Sequence, residues 1–225
     1  MKWYSIRDEF DPKVVGNVRG IQSEYMFEGY NYGGEYSVRR IANKNFDCHR
    51  FLKIDFGRIR LKPAALYTDL ISSVLINKFF VLVLSKALSD YLKKFQLPPI
   101  FEKEVGVSHP KLQMELEYRA FYMENNYNLI NFDKSRFLIG ENGTPYENDV
   151  IKKFQDKDEF EDFLHAKSWK VRLRVGKLVV KTNYDLIRFR TLGGYFVSEK
   201  LKEAIEQEGF TGMRFEPADF VISEP

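Results

Sequence analysis

Cysteine is almost missing from this chain: among 225 residues there is one, Cys48. No disulfide can form within it, which fits a reducing compartment. A chain of this length buries roughly 70 to 75% of the surface its unfolded form exposes, so it needs neither a cross-link nor a metal to hold a core. Histidine is nearly as scarce. His49, His109 and His165 are the only three, and none has the spacing that sets two zinc ligands on one helix face or loop. No zinc site and no cofactor are expected.

Long apolar runs are lacking too. The most apolar stretch, Leu70 to Leu84, is broken by Asn77 and Lys78, whereas a membrane-spanning helix needs about 20 predominantly apolar residues; it reads as buried strands. Residues Met1 to Asp11 carry Arg7, Asp8, Glu9 and Asp11, where an export signal needs an unbroken apolar run of about 7 to 15 residues. A cytoplasmic protein with no membrane partner is expected. A dominant charge sign is absent as well: 35 Lys and Arg face 32 Asp and Glu, a net charge of +3, short of the clustered basic signature of a dedicated nucleic-acid binder.

Catalytic patterns are equally sparse. A thiol nucleophile needs a histidine close in space, and Cys48 adjoins His49, but adjacent residues on a strand point to opposite faces. A phosphate cradle needs glycines at fixed offsets between a strand and a helix; Gly140 to Gly143 and Gly193-Gly194 do not supply them. The carboxylates from Asp158 to Asp162 read as a solvated helix face rather than an acid/base pair. No enzymatic activity is expected.

What is present is aromatic. Phe and Tyr number 20 and 13, and apolar residues reach 44%, which argues for a large core. An α+β fold of mixed sheets with a few packed helices is predicted. Residues 1–60 read as a β-rich segment of the same globule, with strand-like pieces around Trp3 to Ile6. The Tyr and Gly mixture from Tyr25 to Tyr36 reads as a surface loop packed onto the domain. Residues 61–225 form the α+β core.

Within that core, the β-type run Phe79 to Leu84 meets Ser85, and Leu88, Tyr91, Leu92 and Phe95 then recur at helical spacing up to Pro98 and Pro99. Ser85 suits a helix cap, because its hydroxyl can accept from a first-turn amide. A short extended piece, Ile100 to Val107, follows. The same order returns near the C-terminus: Tyr195 to Val197, then Ser198 as cap, Leu201, Ala204 and Ile205 on one helical face, Gly209 as helix stop, and Met213 to Phe215 as a strand. The segments VLSKALSDYLKKFQLPPIFEKE (83–104) and FVSEKLKEAIEQEGFTGMRFEP (196–217) align without a gap. They suggest two related strand-Ser-helix-strand modules.

Between the modules, Tyr118 to Phe137 reads as buried strands and a tight turn. Two charged regions follow. Asp156 and Glu159 make a capping box for a helix whose Phe160, Phe163 and Leu164 face inward and whose Asp158, Glu161 and Asp162 face out. Lys170, Arg172 and Arg174 alternate with Val171, Leu173 and Val175 on a strand, so the three cations share one side. Gly176 and Lys177 read as a turn into a strand at Leu178 to Lys181, and another strand spans Leu186 to Arg190. With Arg188 and Arg190 this makes a basic face that could hold phosphates, with Trp169, Tyr184 and Phe189 available to stack on bases. An amphipathic sheet produces the same pattern without nucleic acid. The acidic helix face suits a basic protein partner.

The C-terminal segment YFVSEKLKEAIEQEGFTGMRFEP resembles the closing motif of a family of bacterial polymorphic-toxin immunity proteins, a V-S-E-x-L helix followed by G-x-x-G-x-x-F-x-P. The matching residues are Val197, Ser198, Glu199 and Leu201, then Gly209, Gly212, Phe215 and Pro217. DLISSVLINKFFVLVLSKALSDYL is similar to the family's first strand-Ser-helix unit, and NLINFDKSRF, with Asp133 and Ser135, to its central aromatic segment. The resemblance spans Leu61 to Ile222, and the N-terminal quarter departs from it. It implies a cytoplasmic antidote that holds a cognate protein toxin in an inactive complex. The motif residues Ser85, Ser198, Leu201, Gly209, Gly212, Phe215 and Pro217 are expected to be structural, with Asp158, Glu161 and Asp162 as the toxin-binding candidates. Lys170, Arg172, Arg174, Arg188 and Arg190 carry the alternative, a nucleic-acid-associated protein.

Overall fold

The computed structural model describes residues 1–18, 21–24, 47–54, 56–73 and 81–224. The aromatic and glycine stretch Tyr25 to Tyr36 lies outside the described residues, as do residues 74–80 of the apolar stretch. Three sheets with packed helices give the expected α+β architecture. Sheet I runs in the order β2 (Arg58–Arg60), β5 (Ile100–His109), β6 (Leu112–Met123), β4 (Leu82–Ser85), β3 (Leu70–Ile71). Sheet II runs β10 (Leu186–Phe189), β11 (Gly194–Ser198), β1 (Trp3–Asp8), β12 (Met213–Pro217). Sheet III runs β13 (Val221–Glu224), β9 (Val171–Lys181), β7 (Arg136–Glu141), β8 (Val150–Lys152).

The helices form where local chemistry asks for them. In α3 (Lys86–Leu92) the Ser85 hydroxyl accepts from Leu88 N at 3.1 Å, and in α5 (Glu199–Gln207) Ser198 accepts from Leu201 N at 3.1 Å. α4 (Lys157–Ala166) is capped by Asp156, which accepts from Glu159 N at 2.9 Å. The returning arm of that box goes one residue further out, to Gln155 N at 2.8 Å. Two shorter helices, α1 (Pro12–Val15) and α2 (Cys48–Lys53), sit in the N-terminal quarter, each behind an Asp cap.

The two segments that align in sequence follow the same course. β4 and β5 are parallel to each other and flank the antiparallel β6; β11 and β12 are parallel and flank the antiparallel β1. The registers coincide residue by residue: Ser85 pairs with Tyr118 as Ser198 pairs with Trp3, and Ile100 pairs with Met123 as Met213 pairs with Asp8. The outer strands agree too, with Leu70 opposite Leu84 and Leu186 opposite Val197. One half finds its central strand just after the module, in β6. The other takes it from the chain's N-terminus, in β1.

The halves meet back to back. Leu82, Leu84, Leu88, Leu92, Phe121 and Met123 from the first pack with Leu186, Tyr195, Val197, Leu201 and Ile205 from the second in one apolar cluster. The other face of sheet I packs on α1 and α2 through Val15, Phe51, Val83, Val107 and Tyr122. The other face of sheet II packs on sheet III and α4, where Phe137, Phe154 and Phe160 meet Phe189 and Phe196 through the Tyr127 ring in a run of ring contacts.

Three local expectations differ from the structure. Gly176 is not a turn: β9 runs unbroken from Val171 to Lys181, and its register against β7 shifts between Arg136 and Phe137, so Gly176 is the extra residue of a β-bulge. The piece from Ile100 extends to His109, because β6 pairs with it along its whole length. Cys48 and His49 lie on α2, not on a strand, since Asp47 caps that turn from Arg50 N.

Candidate functional site

Sheet III ends in an apolar rim that faces solvent. Large apolar side chains are exposed on this sheet at three places: Tyr146, 63% exposed, just before β8, Val150 and Ile151, 65% and 61%, on opposite faces of β8, and Trp169, 79%, just before β9. β8 is an edge strand, paired on one side with β7 and on the other with none of the described residues. Register puts Ile151, Leu138 and Arg174 in one row of the outer face, and Val150, Ile139 and Leu173 in one row of the inner face. Trp169 stands just before β9, where its carbonyl accepts from Asn142 Nδ2 at 2.5 Å.

α4 borders this rim. Lys152 of β8 ion-pairs with Glu159 of the helix at 3.4 Å, and its ammonium lies over the Phe154 and Phe163 rings at 4.9 and 5.8 Å. Phe160 is buried, which turns Asp158 and Asp162 out to solvent. Glu161 is half-buried and pairs with Lys157 at 3.5 Å. The structure therefore brings the three acidic candidates to one helix face beside a rim that sequence reasoning did not find. The signal was available in part: Tyr146, Val150 and Ile151 interrupt a polar stretch between two glycines and a helix cap.

The basic candidates do not form one surface. Arg188 is 1% exposed; its guanidinium lies 4.6 Å over the Tyr122 ring and 5.8 Å over Tyr195, and donates to the Met123 carbonyl. Strand alternation placed it outward, but β10 is buried on both faces between the first half and sheet III. Arg172 and Arg174 share the carboxylate of Asp149 and stack on Tyr146 at 4.5 and 4.2 Å. Hydrogen bonding from Arg172, the largest cause, and from Arg174 holds the Asp149 carboxyl below its ordinary value. Gly140 is what lets this clamp close, because a Cβ there would meet both the Asp149 carboxylate and the Arg172 guanidinium. Lys170 is exposed and Arg190 half-buried. Of the aromatic candidates for stacking, Trp169 is exposed, Tyr184 half-buried and Phe189 buried.

The motif residues build the scaffold. Ser198 is fully buried, and its hydroxyl donates to Asp185 at 2.8 Å while it caps α5. Gly209 ends α5 at φ +75°, and Leu201 lies in the shared core. Gly212 has φ +91° and packs so closely that a Cβ would meet the Leu70 carbonyl and the Thr68 side chain. Phe215 and Pro217 lie on β12, with Phe215 half-buried against the shared core. Ser135 is buried and receives Val179 N at 3.0 Å.

His109 and Cys48 are held by their surroundings, while His49 and His165 are exposed. His109 is buried, with Nε2 3.1 Å from the Ala65 carbonyl and Nδ1 accepting from Lys111 N. The Cys48 thiol is pushed up by desolvation and by the neighbouring Glu124 carboxylate, which favours the unreactive thiol. Among the described residues no group of three or more His, Cys, Asp or Glu lies close enough to hold a metal ion. No helix among them is long and apolar enough to cross a membrane. No family model matches the chain, and no curated protein matches it at a significant level.

Proposed function

We propose that this protein is a cytoplasmic immunity protein, which binds a cognate bacterial toxin and blocks it by occlusion. The observation that carries the reading is the rim at β8. An edge strand without a partner among the described residues offers its backbone and exposed apolar side chains to another protein, and Trp and Tyr are the residues on which binding energy concentrates. The acidic face of α4 beside it suits a basic partner by steering its approach. The resemblance of the C-terminal motif supports the same reading, with the motif residues as scaffold and the rim as the contact surface. A nucleic-acid-associated function through Lys170, Arg172, Arg174, Arg188 and Arg190 has less support, because Arg188 is buried and Arg172 and Arg174 are engaged by Asp149.

The test is growth of cells that express the C-terminal domain of a large secreted protein, if the neighbouring gene encodes one, with and without this protein, followed by co-purification. Rescue together with a stable complex is the expected result. An active toxin, a folded partner, no rescue and no complex would reject the reading for that pair.

A further inference from the structure

β8 presents its open edge in a form that complements itself. Asn142, one residue past β7, donates its N–H to the Lys170 carbonyl at 2.7 Å. Backbone groups alternate in direction along an antiparallel strand, so Leu138 and Gly140 also point theirs at β9, while Phe137 and Ile139 point theirs at β8. Their partners Lys152 and Val150 are therefore bonded to β7. Ile151, between them, turns its N–H and C=O to the open edge, and its side chain is 61% exposed.

The charges that flank this strand have opposite signs at its two ends. Glu147 precedes β8 and Lys153 follows it; both are exposed, and neither side chain pairs with a described residue. A second copy of the segment, laid antiparallel, brings the basic end of each chain to the acidic end of the other. A parallel copy sets like charges together. The antiparallel arrangement has a twofold axis and so closes on two chains, with no further edge at β8 for a third.

We propose that in the free protein β8 pairs with β8 of a second copy, antiparallel about a twofold axis at Ile151, which joins two four-stranded sheets into one. Ile151 faces its own copy in a hydrogen-bonded pair, and Val150 lies against the Lys152 stem. Lys153 of each chain stands diagonal to Glu147 of the other, within reach of a long side chain. The paired edge is short, so the contact belongs to the small, transient class, with a dissociation constant on the order of 0.1 mM. The inference concerns the free protein and stands without the toxin reading; a partner seated on β8 displaces the second copy.

The test is sedimentation equilibrium of the full chain from about 10 µM to about 1 mM, where a monomer–dimer equilibrium is expected. Ile151→Pro removes the donor that faces the edge and spares the bonds to β7, and should weaken the dimer about tenfold or more. Its melting temperature, read at low concentration, shows that it is folded. Glu147→Lys should weaken the dimer about fivefold, and Glu147→Lys with Lys153→Glu should restore it; this pair decides the matter alone if Ile151→Pro does not fold. A monomer at every concentration, a mass beyond that of a dimer, a dimer indifferent to folded Ile151→Pro, or a double variant no tighter than Glu147→Lys would overturn the proposal.

Discussion

Asp69 and Asp185 hold the same place in the two halves of the molecule, one residue before β3 and one before β10. Each accepts from its own cap serine, Ser85 at 2.7 Å and Ser198 at 2.8 Å. Each also reaches across to the loop that follows the other half's helix: Asp69 accepts from Thr211 N at 2.9 Å, and Asp185 from Gln96 N at 3.2 Å. The backbone repeats the exchange, with Leu70 N donating to the Thr211 carbonyl and Asp185 N to the Gln96 carbonyl. The halves are thus locked to one another by a reciprocal pair of bonds.

The two locks differ in burial, which separates their energetics. Ser198→Ala takes one donor from a carboxylate that is 3% exposed, leaving it Gln96 N and Lys200, and removes a cap, and should cost about 2 kcal/mol. Ser85→Ala leaves Asp69 half-buried and in reach of water, and should cost about 1 kcal/mol. Urea denaturation of the two variants measures the difference, and Ser198 should be the larger.

Two glycines of the C-terminal motif should respond unequally. Gly209→Ala meets nothing within 4 Å and bears only the strain of φ +75°, about 1 kcal/mol. Gly212→Ala adds a clash with the Leu70 carbonyl, and should cost about 3 kcal/mol or prevent folding. Comparing denaturation midpoints and soluble yield checks the order.

Asp149 supplies a pH signature. Its folded-state value is lowered by Arg172 and Arg174, so the stability it contributes is fully present above the unfolded carboxylate value and is lost as pH falls through the lowered one. Asp149→Asn should therefore be less stable than the wild type near pH 7, and the two should converge as pH falls below the lowered folded-state value. Thermal unfolding across that range reads it directly.

Much of this architecture is legible locally. Ser85, Asp156 and Ser198 announce their helices because a cap is a bond to an amide three residues away, and Gly209 stops α5 for an equally local reason. Cys48 escapes because a six-residue helix leaves no period to read. Arg188 escapes because strand alternation gives sidedness but not which sides are covered, and β10 is covered on both. The clamp of Asp149 on Arg172 and Arg174 spans 23 and 25 residues, a pairing no local pattern encodes. The repeat is visible in part: the tripeptide Asp-Leu-Ile recurs at 69–71 and 185–187, but the match of β6 with β1 is hidden by their opposite places in the chain order.

The interaction surface should behave as an interface and not as a structural element. Asp158→Lys, Glu161→Lys and Asp162→Lys together should leave the melting temperature nearly unchanged, since surface substitutions move stability by about 0.5 kcal/mol or less each. Val150→Ser with Ile151→Ser should do the same, because both side chains already face water. Circular dichroism melts check that the variants remain folded before any binding experiment.

The most direct measurement is the affinity for the toxin domain whose growth inhibition this protein relieves, for the wild type, for Trp169→Ala and for the triple lysine variant, by calorimetry. The account predicts a 1:1 complex for the wild type, weakened about 30-fold or more by Trp169→Ala, as for a hot spot of about 2 kcal/mol, and weakened again by charge reversal on α4. A folded wild type that does not bind the active toxin, or a complex indifferent to both variants, would contradict it.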